Sequence, residues 1–255
     1  MRLVLDFFRQ IGFDPVRLMR SVRNLPKFVS EFAHFATKAR SINFVLAPTL
    51  LDFKDESGSA KGHYFWQDLL AARWIYEIKP DKHLDVGSRI DGFVAHLLTF
   101  MQVDVLDVRP MNSRIVGLRT TLGNAQERLD KIIGSYDSVS SLHSIEHFGL
   151  GRYGDPIDPE GHIKGLINIS ETVSRNGTLI VSFPIGKPRV HFNAQRIVHP
   201  EWPVKILQDF DLIEFVLIPW TDDPVLGLQP KEVDVSIKGN CGLYKFKRKS
   251  QNVKD

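Results

Sequence analysis

Two stretches of this chain have the residue types and the spacing that chemistry needs. The first is His83-Leu84-Asp85-Val86-Gly87-Ser88-Arg89-Ile90-Asp91-Gly92, an apolar strand pattern that meets a glycine and runs on into a helix pattern. A glycine just past a strand lets the chain turn sharply and lets ligand atoms approach its backbone. The helix that follows presents free N–H groups and the positive end of its dipole. Twenty-two residues after Asp85, Asp107 closes the next strand pattern. An acid there can accept hydrogen bonds from both ribose hydroxyls of an adenosine-containing cofactor.

The second stretch is His143-Ser144-Ile145-Glu146-His147, which leaves another strand pattern at its C-terminal end. Open α/β sheets bind ligands at that edge. His147 or His143 is therefore the candidate general base, with His147 ahead, and Glu146 would orient a ring or cap the cofactor. The same residues fit a His-x-x-Glu-His zinc pattern, but that motif needs a helix and these residues run off a strand. Asp155, Asp158, Glu160 and His162 are close enough to suggest a hard cation. A Gly-Asp-Pro-x-Asp-Pro loop is more simply a rigid turn with self-capping aspartates, and no metal is expected. Arg152, Tyr153, Asn193 and Arg196 could form an acceptor pocket, because arginine with aromatics suits a sugar or sugar phosphate. Structural ion pairs for Arg152 and Arg196 are an equal alternative.

The elements that must hold these residues alternate. A helix is expected over 63–78 and stopped by Pro80, with strands over 82–86, 103–108, a short one ending near 121, 138–142 and 178–183. Helices are expected over 92–100 and about 160–173, and two late strands over 212–218 and 243–247. Alternating βαβ units imply a mostly parallel sheet covered on both faces. Residues 1–53 read instead as a helical extension, joined by a polar linker over 54–62 to a domain spanning 63–250. Val4, Phe7, Phe8 and Ile11 share one helical face, Asp14 and Pro15 start a second helix, and Pro26 starts a third that carries Val29, Phe32, Phe35 and Ala36.

Composition narrows the function. Residues 1–40 hold eight Lys/Arg against three acids, a net of +5, so the other 215 residues of a chain carrying +3 sum to −2. A slightly acidic main domain argues against nucleic acid as a partner. The basic, aromatic N-terminal helices suit a peripheral membrane surface or a partner protein, or simply pack on the main domain. The single cysteine, Cys241, excludes an intrachain disulfide and a cysteine-based metal cluster. No apolar run reaches the roughly 18 residues that span a bilayer, and no signal peptide is evident. The expected location is cytoplasmic, with residues 1–40 able to reach the inner face of the membrane.

From about residue 63 to 249 the sequence resembles class I S-adenosylmethionine-dependent methyltransferases. Asp85-Val86-Gly87 matches the start of their first motif, Gly123-Asn124-Ala125 resembles their Gly-Asp-Ala step, and 136–147 resembles the fourth strand and its exit. Arg175-Asn176-Gly177-Thr178 is similar to the turn into the fifth strand. The resemblance implies a Rossmann-like seven-stranded mostly parallel sheet, with the late pair of strands as the sixth and seventh. It implies S-adenosylmethionine as cofactor, with Asp85 toward the methionine amino group, Gly87 and Ser88 against the cofactor, Asp107 on the ribose and Asn124 by the adenine. Arg89 and Asp91 depart from the usual glycine run, and the Arg89 guanidinium could bind the cofactor carboxylate or block the site.

The stretches 63–68, 85–93 and 149–159 also resemble a bacterial methyltransferase-like family of unknown function, often encoded among surface-polysaccharide genes. There Ser-Arg-Ile-Asp-Gly is the normal loop, and Tyr64 and Gln67 fall in a matching stretch expected beside the cofactor. Together the resemblances imply O-methylation of a sugar or nucleotide-sugar intermediate of surface glycan assembly. The rival reading is a non-catalytic methyltransferase-like protein that binds a partner enzyme or the membrane. A nicotinamide enzyme is disfavoured, because the chain has no full Gly-x-Gly-x-x-Gly and no Tyr-x-x-x-Lys pair.

Overall fold

The computed structural model describes residues 8, 10–39, 43–53, 60, 62–112, 114–129 and 134–250. The chain divides into two compact units, Met1–Ser59 and Ala60–Asp255.

The first unit is built on α1 (Pro15–Lys38). Asp14 caps it, with Oδ1 accepting from the N–H groups of Val16 and Arg17 at 2.9 and 3.1 Å. Two helices are expected here from the sequence, but α1 continues through Pro26 as one. An interior proline removes one backbone hydrogen bond, and the helical turns on either side hold the helix together across that loss. Phe44 meets Phe32 and Phe35 edge-on at 5.7 and 5.8 Å, and Asn24 Nδ2 donates to the Leu50 carbonyl at 2.6 Å. The 43–53 segment therefore folds back along the helix. The helix expected around Val4, Phe7 and Ile11 and the polar linker over 54–62 fall largely outside the described residues. Among the described residues no helix is long and apolar enough to cross a membrane.

The second unit opens with α2 (His63–Ile78), β1 (His83–Val86) and a π-helical turn (Ile90–Val94) that runs into α3 (Ala95–Leu97). Then come β2 (Val103–Asp107), β3 (Leu118–Leu122), β4 (Tyr136–Leu142), a 3₁₀ turn (Ile145–His147) and α4 (Gly161–Glu171). The chain closes with β5 (Val173–Ile185), a hairpin of β6 (Arg189–His191) and β7 (Gln195–Ile197), α5 (Trp202–Ile206), β8 (Phe210–Pro219) and β9 (Asn240–Arg248). Seven strands form one sheet in the order β3-β2-β1-β4-β5-β9-β8. Strands β1 to β5 run parallel to one another, and β9 runs antiparallel to both β5 and β8. This is the mostly parallel sheet that the alternation implies, in the Rossmann-like seven-stranded form that the resemblance implies.

Two departures bear on the site. The helix expected over 92–100 starts earlier, as a widened turn in which Val94 N–H reaches back to the Arg89 carbonyl. Gly92 permits it: a Cβ there would fall 2.4 Å from Asp68 Oδ2. The β6–β7 hairpin is also unexpected, because three-residue strands carry no readable periodicity.

Candidate active site

Strand order reverses between β1 and β4, which opens a crevice at the carboxyl edge of the sheet. A cavity of about 740 Å³ lies there. Its wall is made by the ends of β1, β2, β3 and β4, with Tyr64 from α2 and Arg152 and Tyr153 from the long loop. Gly87 sits at the switch point with φ +70°, and a Cβ on it would lie 2.2 Å from Ser144 Oγ. Only glycine lets the β1 loop lie this close to the exit of β4.

Asp85 is fully buried and does not line the cavity. Its Oδ1 accepts from Ser88 Oγ at 2.6 Å and Ser140 Oγ at 2.7 Å, and its Oδ2 accepts from Ser88 N–H at 3.0 Å. Burial raises its pKa to about 6 against the pull of those serines. Ser88 Oγ in turn accepts from Leu142 N–H at 2.9 Å. Asp85 thus shapes the loop from beneath, while Gly87 and Ser88 face the cavity. Arg89 lies at the rim, over the Tyr64 ring at 5.2 Å, and forms a bidentate pair with Asp91 at 2.9 and 3.1 Å. Both partners are more than half exposed.

At the end of β2, Asp107 binds Arg109 through both oxygens, at 2.9 and 2.7 Å. Arg109 lies 4.4 Å over the Tyr153 ring, so the acid and the loop aromatic meet through it. Asn124 follows β3 on the same wall, its Oδ1 accepting from Gln126 N–H at 3.0 Å.

The exit of β4 distinguishes the two histidines. His143 stands at φ +47°, in the left-handed region that a bulky residue enters only under constraint. Its Nδ1 lies 2.7 Å from Glu146 Oε1. Burial opposes a charge on His143, but Cys241 and Glu146 outweigh it and raise its pKa well above the ordinary value. His147 has the reverse balance: burial lowers its pKa, and the Arg152 cation adds to that against the pull of Glu146. Its Nδ1 approaches the Ala194 carbonyl at 2.7 Å, a contact that needs the proton on Nδ1. Nε2 of a neutral ring then holds the free lone pair.

Four other expected site residues lie off the wall, among them Glu146, which is buried behind His143. Gln67 is buried on the inner face of α2, where its Oε1 accepts from Ser182 Oγ at 2.7 Å and its Nε2 donates to Asp68 at 3.1 Å. Among the described residues Arg196 makes no ion pair: it is buried and donates to the carbonyls of Phe148, Asp158 and Pro159, stapling the long loop. Asn193 is exposed in the β6–β7 turn and does not line the cavity. The loop aspartates cap their own turns, Asp155 accepting from Gly149 N–H at 2.7 Å and Asp158 from Glu160 N–H at 2.9 Å.

Solved proteins share this architecture. NodS, an N-methyltransferase of Bradyrhizobium japonicum WM9 crystallised with S-adenosyl-L-homocysteine, matches with a TM-score of 0.52 at 11% identity. The match covers 80% of this chain and 94% of NodS. The 1,6-didemethyltoxoflavin-N1-methyltransferase of Burkholderia thailandensis matches with a TM-score of 0.50 at 14% identity, over 90% of this chain and 91% of its own. The fold is that of the methyltransferases. A family model described as a Caenorhabditis protein of unknown function, DUF268, matches residues 95–216. No curated protein matches the chain.

On the methyltransferase fold, β8 and β9 take the places of the sixth and seventh strands, and β6–β7 is an added hairpin. Arg109 is a cavity residue that sequence reasoning missed, as it missed His63 and Cys241, which lie off the wall beside His143. Arg109 could have been noticed two places after the acid that ends β2. The other two reach the site through contacts that no local pattern announces.

Proposed function

We propose that this chain transfers a methyl group from S-adenosylmethionine to a hydroxyl of a sugar or nucleotide-sugar acceptor. The observation that carries the reading is the cavity at the switch point, with a glycine whose missing Cβ leaves no room for any other residue. Asp107 fits one ribose hydroxyl: a carboxylate has about four lone-pair sites, and Arg109 fills three of them through its backbone N–H, Nε and Nη2, which leaves a place on Oδ2. Asn124 fits the adenine edge, and Gly87 and Ser88 offer backbone along the methionine portion. When bound, the cofactor would supply an electrophilic methyl group. The chain's own work is then alignment of the acceptor and removal of one proton. His147 Nε2 takes that proton from the acceptor hydroxyl, while the Ala194 carbonyl holds the tautomer. Arg152, Arg109 and Tyr153 line the side where a sugar ring or phosphate would rest. Assembly of surface glycans is a setting consistent with such an acceptor.

Calorimetric titration with S-adenosylmethionine and S-adenosylhomocysteine, with NAD as control, tests the cofactor. Binding that Gly87→Ala and Asp107→Ala abolish supports the reading, and folded protein that binds neither compound defeats it. Transfer of labelled methyl into a panel of nucleotide sugars then tests the acceptor.

A second reading concerns α1. Leu18, Val22, Leu25 and Val29 form a stripe that its own unit leaves uncovered, beside Arg17, Arg20 and Arg23. Such a helix suits an anionic membrane surface. Loss of vesicle binding on replacing Leu18 and Val22 by Glu, with cofactor binding intact, would give an anchored enzyme.

A further inference from the structure

His63 on the first turn of α2, His143 at the exit of β4 and Cys241 in β9 each bring one ligand atom to within 4.8 Å of the others. Methyl transfer to a hydroxyl does not call for this cluster. The groups around it are placed as the outer shell of a metal site is placed. His143 Nδ1 is held by Glu146 at 2.7 Å, which leaves Nε2 to coordinate. That Nε2 is buried without a hydrogen-bond partner, on a side chain only 5% exposed. His63 Nε2 lies 2.9 Å from the Gly239 carbonyl, which leaves Nδ1 as its coordinating atom. A ring N–H held by a carboxylate or a carbonyl is the usual way a ligating histidine is oriented and made more basic. Cys241 is a fully buried free thiol, with one long contact of 4.0 Å to Gln67 Oε1. Glu146 Oε2, behind the His143 ring, is buried and unpartnered as well.

We propose that His63, His143 and Cys241 bind a zinc ion. One thiolate and two imidazoles form a borderline-soft donor set, which suits zinc and not the oxygen-seeking calcium or magnesium. Tetrahedral zinc at its usual bond lengths sets neighbouring ligand atoms roughly 3.3–3.6 Å apart, so closing the cluster takes a little over an ångström of side-chain movement and a turn of one imidazole, because the His63 and His143 rings lie nearly parallel at 5.4 Å. Three protein ligands leave a fourth position. Because His143 also lines the cavity, that position is within reach of an acceptor atom. An oxygen bound there would lose its proton more readily. This last role rests on the proposed methyl transfer; the ion itself does not.

The test uses the full chain, stripped with a chelator and titrated with Co²⁺ and then Zn²⁺. The expected result is one cobalt per chain, a thiolate-to-cobalt charge-transfer band, tetrahedral d–d bands, and displacement of all three signals by zinc. Cys241→Ser should remove the charge-transfer band, and Glu146→Gln should weaken cobalt binding by roughly 10–100-fold. His63→Gln should weaken it as well, and serves if the Cys241 variant fails to fold by thermal melt. Folded wild-type protein without a charge-transfer band overturns the proposal, as does a His63→Gln variant that binds cobalt like the wild type. Titration of S-adenosylhomocysteine into the same preparation separates the two readings. Cofactor binding without cobalt bands defeats the metal site alone, and cobalt bands without cofactor binding defeat methyl transfer alone.

Discussion

The two faces of the sheet are packed with different chemistry. On one, Leu84, Val86, Val139, Leu179, Val181, Phe183 and Phe246 meet Leu166 and Ile169 of α4 in a largely apolar layer, where buried Ser141 donates to the Val86 carbonyl. On the other, Val103, Val105, Ile180, Val216 and Leu243 pack against Trp74, Ile75 and Phe93. That second face also buries His83, Asp85, Ser138, Ser140, Ser182 and Gln67 almost completely. Its hydrogen bonds run in one direction. Ser140 Oγ donates to Asp85 at 2.7 Å, so it accepts from His83 Nε2–H at 3.0 Å, and His83 Nδ1 then accepts from Ser138 Oγ at 2.9 Å. The line ends at Asp85, into which Ser88 of the cavity wall donates from the other side. Hydrocarbon stabilises the fold without direction, whereas this polar line holds one loop in one place.

Truncation of a large apolar side chain should give the largest effect. Phe183→Ala, on the apolar face, is expected to cost about 3–5 kcal/mol in denaturant unfolding and to leave cofactor affinity per folded molecule unchanged. A large drop in that affinity would show that the two faces do not divide their work.

The second test is pH dependence. Burial lowers the His83 pKa to about 3, so the folded state favours the neutral ring. The stability this contributes is fully present above the unfolded value of 6.5 and is lost as pH falls toward 3. Asp85 and Asp68, both raised to about 6 by burial, oppose it. Their contribution is present below 3.8 and lost as pH rises through 6. Comparison of the wild type with His83→Gln isolates the histidine. The stability difference between the two proteins should change by about 2 kcal/mol between pH 7 and pH 5. Parallel pH profiles would mean that His83 is not held neutral.

Most of the fold was legible, because the apolar face needs only alternation and strand length. The apolar runs at 103–108, 138–142 and 178–183 were read from that pattern within a few residues of β2, β4 and the core of β5. The polar face was less legible. Ser138-Val139-Ser140-Ser141 looks like an indifferent strand until β1 lies beside it, and nothing local says that Asp85 faces inward rather than toward a ligand. Depth was the missing variable for Gln67 and Arg196 too, since their types fit a pocket as well as a buried staple. Long-range pairing hid the rest: His63 meets Gly239 only because β9 inserts between β5 and β8. What sequence did locate was the edge, because Gly87, Asp107, Asn124 and His147 each follow or end a strand of the parallel part.

A smaller effect is expected where the polar line can be cut at one link. Ser140→Ala leaves the His83 Nε2–H and Asp85 Oδ1 each short of a partner, which should cost about 1–3 kcal/mol. It should also weaken S-adenosylhomocysteine binding, because Asp85 holds the Ser88 turn. Loss of stability with full affinity would mean that the turn is fixed by Gly87 and Leu142 alone.

The smallest effect on stability belongs to Arg89, just beyond the end of the line. Its pair with Asp91 is exposed, and surface pairs of this kind contribute about 0–1 kcal/mol, so Arg89→Ala should hardly move the melting curve. The informative readout is the ligand. If the guanidinium turns from Asp91 to the cofactor carboxylate, Arg89→Ala weakens S-adenosylhomocysteine and leaves 5′-methylthioadenosine, which lacks that carboxylate, unaffected. Equal weakening of both would place Arg89 in the shape of the rim, through Tyr64, and tighter binding of both would make it an obstruction. A rim residue that changes affinity without changing stability, beside buried residues that change both, would separate the loop's chemistry from the scaffold that holds it.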